Sequence, residues 1–122
     1  MIEQLGAVEL SSLKNILYQR QRELEEREKD NIREMHNLKD GIKDAGDIAS
    51  FEINSERLRV LMDRTKGMKY KITNALQRIV DGEYGLCQEC SCPIGARRLF
   101  FDPTTDLCLD CKSELENERS SA

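Results

Sequence analysis

Aromatic residues, long apolar stretches and signal segments are scarce or missing in this chain of 122 residues. Aromatics make up only 5% of the sequence and tryptophan is absent, whereas charged residues make up 34%. This composition argues against one large globular core. No apolar stretch approaches the roughly 20 residues needed to cross a bilayer, and no secretory signal opens the sequence. We therefore expect a soluble, cytoplasmic, mainly helical protein with no membrane segment.

An excess of positive charge is also lacking. The 19 Lys and Arg residues are outweighed by 23 Asp and Glu residues, which gives a net charge of -4. Direct DNA binding is therefore not expected. The single histidine, His36, has no partners that would form a nucleophilic triad, so the sequence does not indicate an enzyme.

Proline is almost absent, and its distribution divides the chain. Residues 1–80 contain none, and both Pro93 and Pro103 lie near the cysteines. We predict two domains, an antiparallel coiled-coil hairpin over residues 1–81 and a compact cysteine-containing module with a C-terminal helix over residues 82–122.

Heptad spacing of apolar residues predicts the hairpin. On the second arm the seam residues recur every seven positions, with partners three residues later. On the first arm a step of eight residues, from Leu24 to Ile32, predicts one slip of the heptad. The predicted seam comprises Leu10, Leu13, Leu17, Leu24, Ile32, Met35, Leu38 and Ile42, then Phe51, Leu58, Thr65, Ile72 and Ile79 with Leu61, Met68 and Ala75.

The link between the arms is short and acidic. Gly41 and Gly46 flank Asp44 and precede Asp47, a pattern that suits a helix end, a reversal and a new N-cap. A link this short makes the arms antiparallel. The two aspartates have two readings from sequence, as plain helix caps or as functional groups at an acidic tip over residues 41–49.

All five cysteines lie within 25 residues of one another. Cys87 and Cys90 form one C-x2-C pair, and Cys108 and Cys111 form another. Two such pairs predict one tetrahedral, structural Zn²⁺ site with no open position. The fifth, Cys92, is a competing ligand, an exposed thiol or a small semi-buried residue. The predicted core of the finger comprises Leu86, Ile94, Leu99, Phe100, Phe101 and Leu107.

The segments around the cysteines and at the tip resemble those of the DksA/TraR zinc-finger family. The finger carries E-Y-G-L-C-Q-E-C over residues 83–90 and D-L-C-L-D-C over residues 106–111. The tip carries D-x-x-D-x-A over residues 44–49, as DksA members do. The resemblance covers roughly residues 10–120, and the amino terminus is shorter than in the longest members.

The resemblance implies a bacterial transcription regulator that binds RNA polymerase and inserts its coiled-coil tip into the secondary channel. Asp44, Asp47 and Ala49 would then act on the polymerase. The resemblance also implies an alarmone site for guanosine tetraphosphate, at Arg64, Lys71 and Lys112. DksA proteins have an arginine before the finger proline where this chain has Asp102, whose negative charge would weaken polyphosphate binding. We expect the protein to be a monomer.

Two other functions fit parts of the pattern. A transcript-cleavage or elongation factor also presents an acidic hairpin in that channel, but such factors lack a four-cysteine finger. Alternatively, the finger is an adaptor that binds a protein or nucleic acid, and the coiled coil is only a spacer.

Overall fold

Four helices account for most of the residues that the structure describes. The structure is a computed structural model that describes residues 5–121, without the side chains of Ser120 and Ser121. The helices are α1 (Ala7–Asp40), α2 (Ala45–Asp81), α3 (Ala96–Phe101) and α4 (Leu109–Ser121). The predicted fold class is confirmed: two long packed helices form a hairpin, followed by a cysteine cluster and a C-terminal helix. None of the described helices has the length and apolar character needed to cross a membrane.

The described residues form two compact units. The hairpin unit comprises residues 20–70, and the cysteine unit comprises residues 5–19 and 71–121. Both long helices contribute to both units. The division of the chain into domains near residue 81 stays a prediction.

The seam of the hairpin unit differs from the predicted one. On α1 it continues without a slip through the half-buried Gln21, Glu28 and Asn31, whereas Ile32 is 50% exposed. The prediction of a heptad slip was therefore wrong. The prediction assigned the next apolar residue, Ile32, to the seam. An uninterrupted seven-residue repeat instead keeps one helix face towards the partner helix, even where the residues on that face are polar.

The partner positions on α2 also differ. Leu61 is 44% exposed, while Ser55 is buried and Met62 is half-buried. The partner residues thus lie four positions, rather than three, after Phe51 and Leu58, whereas Met68 is half-buried three positions after Thr65, as predicted. Thr65 is buried as predicted, and its hydroxyl donates to the carbonyl oxygen of Leu61 at 3.0 Å. The seam is thus partly polar, with its hydroxyl groups satisfied within the helix.

The cysteine unit has a small apolar core of its own. Among the described residues, its most buried side chains include Leu13, Leu17, Ile72, Ala75, Leu99 and Pro103. Phe100 and Phe101 were predicted to lie in this core, but they are 42% and 88% exposed. The prediction was wrong because α3 is a single short helix that buries one side, occupied by Leu99.

Candidate functional site

The tip of the hairpin unit is a capping box. Asp44 precedes α2, and its Oδ1 accepts the N–H of Asp47 at 2.9 Å. In return, Oδ2 of Asp47 accepts the N–H groups of Lys43 and Asp44 at 3.0 and 3.2 Å. Such reciprocal bonds satisfy N–H groups that have no partner inside the helix. The two carboxylates are therefore helix caps and are held in a fixed arrangement, while Asp44 and Ala49 are exposed.

The first cysteine pair lies in a tight loop closed by backbone bonds. An isolated antiparallel bridge joins Leu86 to Pro93, and Cys87 donates its N–H to the carbonyl of Cys92 at 2.8 Å. The return of the chain places Ser91 at a φ of 62°, in the left-handed region that side chains rarely adopt. The loop therefore aims the sulfurs of Cys87 and Cys90 to one side.

The second pair lies where α4 begins. The N–H of Gln88 donates to the carbonyl of Asp106 at 2.7 Å, which ties the segment before Cys108 to the first loop. The Sγ atom of Cys108 accepts the N–H of Cys111 at 3.4 Å, in the manner of an N-cap. The Cys108 sulfur is thus positioned at the first turn of α4.

The four sulfurs converge. All lie within 4.8 Å of one another, and those of Cys90 and Cys108 are 3.7 Å apart. A tetrahedral Zn²⁺ with Zn–S bonds of about 2.3 Å requires sulfurs roughly 3.8 Å apart. The residues present therefore fit a four-cysteine zinc site.

Two thiols of the cluster differ in pKa. Burial disfavours the Cys87 thiolate, but the backbone N–H groups of Cys108, Cys90 and Glu89 outweigh it and lower the pKa of this thiol to about 6. Hydrogen bonds with the Cys108 and Cys87 side chains instead raise the pKa of the Cys111 thiol. Because a zinc ligand is a thiolate, binding of the metal by all four sulfurs would release the remaining protons.

Cys92 is not part of the cluster. Of its predicted alternatives, the exposed thiol agrees with the structure, since its side chain is exposed and its sulfur is not among the four that converge. It contributes to the site only through its backbone, as the acceptor for the N–H of Cys87.

Two arginines that were not predicted as site residues support the cluster. Arg78 donates to the carbonyl of Leu86 at 2.6 Å, and Arg98 donates to the carbonyl of Leu107 at 3.3 Å. Leu86 and Leu107 each immediately precede the first cysteine of a pair. The guanidinium groups therefore fix the backbone from which each C-x2-C pair departs. No local motif marks Arg78, because its partner lies eight residues later across a turn.

Loss of the Arg78 guanidinium is expected to weaken metal binding. Arg78→Met should lower Zn²⁺ affinity about tenfold, the lower end for loss of a group that orients metal ligands. Competition with a chromophoric chelator measures the affinity, and Arg57→Met, at an exposed position of the same helix, is the matched control. Equal affinities in the two variants would contradict a supporting role for Arg78.

The predicted alarmone residues lie on two helices. Arg64 is in the hairpin unit, whereas Lys71 on α2 and Lys112 on α4 are in the cysteine unit, and all three are exposed. Asp102 is half-buried and ends α3, where its Oδ1 accepts the N–H and the hydroxyl of Thr104 at 3.2 and 2.9 Å. The Asp102 carboxylate is therefore held by hydrogen bonds within the turn that follows α3.

Similarity to known proteins is found both in sequence and in structure. No family model matches the chain. The RNA polymerase-binding transcription factors DksA of Escherichia coli (strain K12) and Salmonella typhimurium are each 43% identical to it over 54 residues. This segment is 44% of this chain and 36% of those relatives, so the match spans about a third of their length.

A solved structure extends the likeness to nearly the whole chain. The transcription factor DksA2 from Pseudomonas aeruginosa is 32% identical and superposes with a TM-score of 0.86. The match covers 94% of this chain and 88% of DksA2, so it includes both the hairpin and the cysteine region. We conclude that the chain belongs to the DksA family of transcription factors, a non-enzymatic family, and carries a four-cysteine zinc-finger cluster.

Proposed function

We propose that this protein regulates bacterial transcription by binding RNA polymerase and placing its hairpin tip in the secondary channel. The observation that carries the proposal is the match to a DksA-family transcription factor over 94% of the chain. The names of the DksA relatives state that they bind RNA polymerase. The net charge of -4 supports contact with a protein rather than with DNA.

The tip supplies the acting groups of this proposal. Asp44 and Asp47 hold each other through the capping box, so their carboxylates enter the channel in a defined arrangement. Carboxylate oxygens suit Mg²⁺ or basic side chains of the polymerase. Ala49 follows on α2 and allows close approach because it is small.

The cysteine cluster has a structural role. Cys87, Cys90, Cys108 and Cys111 hold one Zn²⁺, which supplies folding free energy to a segment too short to bury a sufficient core. Four thiolate ligands leave no position for a water or substrate, so the metal takes no part in chemistry.

Direct binding to RNA polymerase tests the proposal. The exposed Cys92 thiol lies outside the cluster, so the zinc-loaded protein can carry a fluorophore there. Titration with purified core polymerase should raise the anisotropy in a saturable manner, and unlabelled protein should reverse the change. Failure of unlabelled protein to compete, or no saturation, would argue against a specific complex.

Stalled complexes separate the two competing functions. A transcript-cleavage factor would shorten the RNA of a backtracked polymerase, whereas the proposed regulator leaves its length unchanged. An adaptor with a coiled-coil spacer would retain full promoter effects after its tip carboxylates are neutralised. Neither alternative has a specific observation in its favour here.

Guanosine tetraphosphate is proposed as a co-regulator with a weakened site. Lys71 and Lys112 of the cysteine unit supply cations for its phosphates, and the charge of Asp102 in the same unit opposes them. Asp102→Asn keeps an Oδ1 acceptor for Thr104 but removes the charge. It should tighten alarmone binding to the protein–polymerase complex about fivefold, the equivalent of roughly 1 kcal/mol.

Equilibrium binding of labelled alarmone measures this change. Asp106→Asn, which removes a nearby half-buried carboxylate, is the matched control. An affinity that does not differ between Asp102→Asn and the wild type would contradict the repulsion, whereas the same gain in both variants would show only a general charge effect.

A further inference from the structure

One ion pair joins the two arms of the hairpin unit. Lys69 Nζ lies 2.7 Å from Glu28 Oε1, and the two side chains are only 35% and 28% exposed. The hydrogen bond to Glu28 raises the pKa of Lys69, which keeps the ammonium charged. By contrast, the pairs Lys29–Glu26, Arg33–Asp30 and Arg59–Glu56 each lie within one helix and are far more exposed.

Both members of the pair occupy seam positions. Glu28 lies seven residues after Gln21 and seven before Met35, and all three are half-buried. Lys69 lies seven residues after Met62 on α2, which is also half-buried. The pair therefore stands where a coiled coil ordinarily places apolar residues, and a polar pair there is a known means of fixing register.

The sequence offers a competing alignment of the arms. Ile32 and Leu61 are 50% and 44% exposed, and Val60 beside them is 51% exposed. An altered register in which each arm also rotates about its axis would bury these side chains, and an apolar seam alone would discriminate weakly between the two alignments. The altered register would, however, leave Glu28 and Lys69 as separated, half-buried charges, which is costly.

The register bears directly on the tip. Only residues 41–44 connect α1 to α2, so any sliding of one arm along the other must be absorbed there. The bonds of Asp44 and Asp47 with each other and with Lys43 occupy that link. We propose that Glu28 and Lys69 are a positioning pair, which selects one register of the arms and thereby sets the geometry of the tip.

Nuclear magnetic resonance of the zinc-loaded, ¹⁵N-labelled full chain tests this inference without polymerase. The key variant is Glu28→Leu/Lys69→Leu. Its leucine side chains keep the seam buried, but the ion pair that selects one register is absent. The amide signals of Lys43, Asp44 and Asp47 should split into two sets or broaden. The hairpin helices should nevertheless unfold at a higher temperature than those of the wild type. About 18 Å of helix separates Glu28 from Asp40 at the end of α1, beyond the range of direct screened electrostatic effects.

Charge-exchanged variants complete the test. Glu28→Lys should disturb the same tip signals, and Glu28→Lys/Lys69→Glu should restore a single sharp set. Glu56→Lys, which disrupts a pair within one helix, is the matched control and should leave the tip signals unchanged. Single, sharp and unshifted tip signals in the Leu/Leu variant would overturn the inference and reduce the pair to a contribution to stability. Because the readout is free of polymerase, this failure would leave the proposed function untouched.

Discussion

Removal of zinc is expected to unfold the finger while most of the hairpin helix survives. A structural zinc site of this type contributes about 10–16 kcal/mol of apparent folding free energy. The segment after α2 holds only the short helices α3 and α4, of 6 and 13 residues, whereas α1 and α2 have 34 and 37 residues. A chelator should therefore abolish the dispersed amide signals of residues 82–121 but reduce the helical circular dichroism by only a minor fraction.

Single cysteine variants separate the metal ligands from the fifth thiol. Cys108→Ser should reproduce the effect of the chelator, because it removes a metal ligand, whereas the serine hydroxyl keeps an acceptor for the N–H that the sulfur accepts at the start of α4. Cys92→Ser should bind zinc normally, since only its backbone contacts the site. Intact finger signals in the chelated protein, or loss of zinc in Cys92→Ser, would contradict this assignment.

Neutralising the tip should abolish function without loosening the tip. Asparagine is as good an N-cap as aspartate, so Asp44→Asn/Asp47→Asn should retain the fold. It should nevertheless lose the effect on a responsive promoter about tenfold or more, equivalent to about 1.4 kcal/mol of lost charge interaction. Promoter-specific transcription with purified polymerase measures the effect, and Asp40→Asn at the end of α1 is the matched control.

Alanine at the same position distinguishes charge from capping. Asp44→Ala removes both and should also cost about 1 kcal/mol of stability, the usual value for loss of an N-cap. Thermal unfolding of the two variants measures this difference. If Asp44→Asn/Asp47→Asn kept full promoter activity, the carboxylates would be helix caps only.

Local chemistry made the cysteine site predictable. Two residues between cysteines suffice to let both sulfurs face one ion, and two such pairs define a tetrahedron without knowledge of the rest of the fold. Helix capping by Asp44 and Asp47 was likewise one of the two predicted readings, because the two residues are only three positions apart at the start of α2. Both features depend on neighbours in sequence.

Features that depend on packing were harder to predict. The seam passes through Glu28 and Asn31 rather than Ile32, because continuity of the helix face outweighs the polarity of single positions. Hydropathy alone cannot reveal this, since Glu28 is compensated by Lys69, 41 residues away. Arg78 illustrates the same difficulty, because its carbonyl partners come together only once the turn after α2 has formed.

The most direct test of the proposed function is transcription from a ribosomal RNA promoter with purified bacterial RNA polymerase. The zinc-loaded protein should change transcript yield without any DNA site of its own, and guanosine tetraphosphate should add only weakly to that change. The Asp44→Asn/Asp47→Asn variant should leave transcript yield at the level of polymerase alone. Wild-type protein that changes transcript yield neither with nor without the alarmone would contradict regulation through the polymerase.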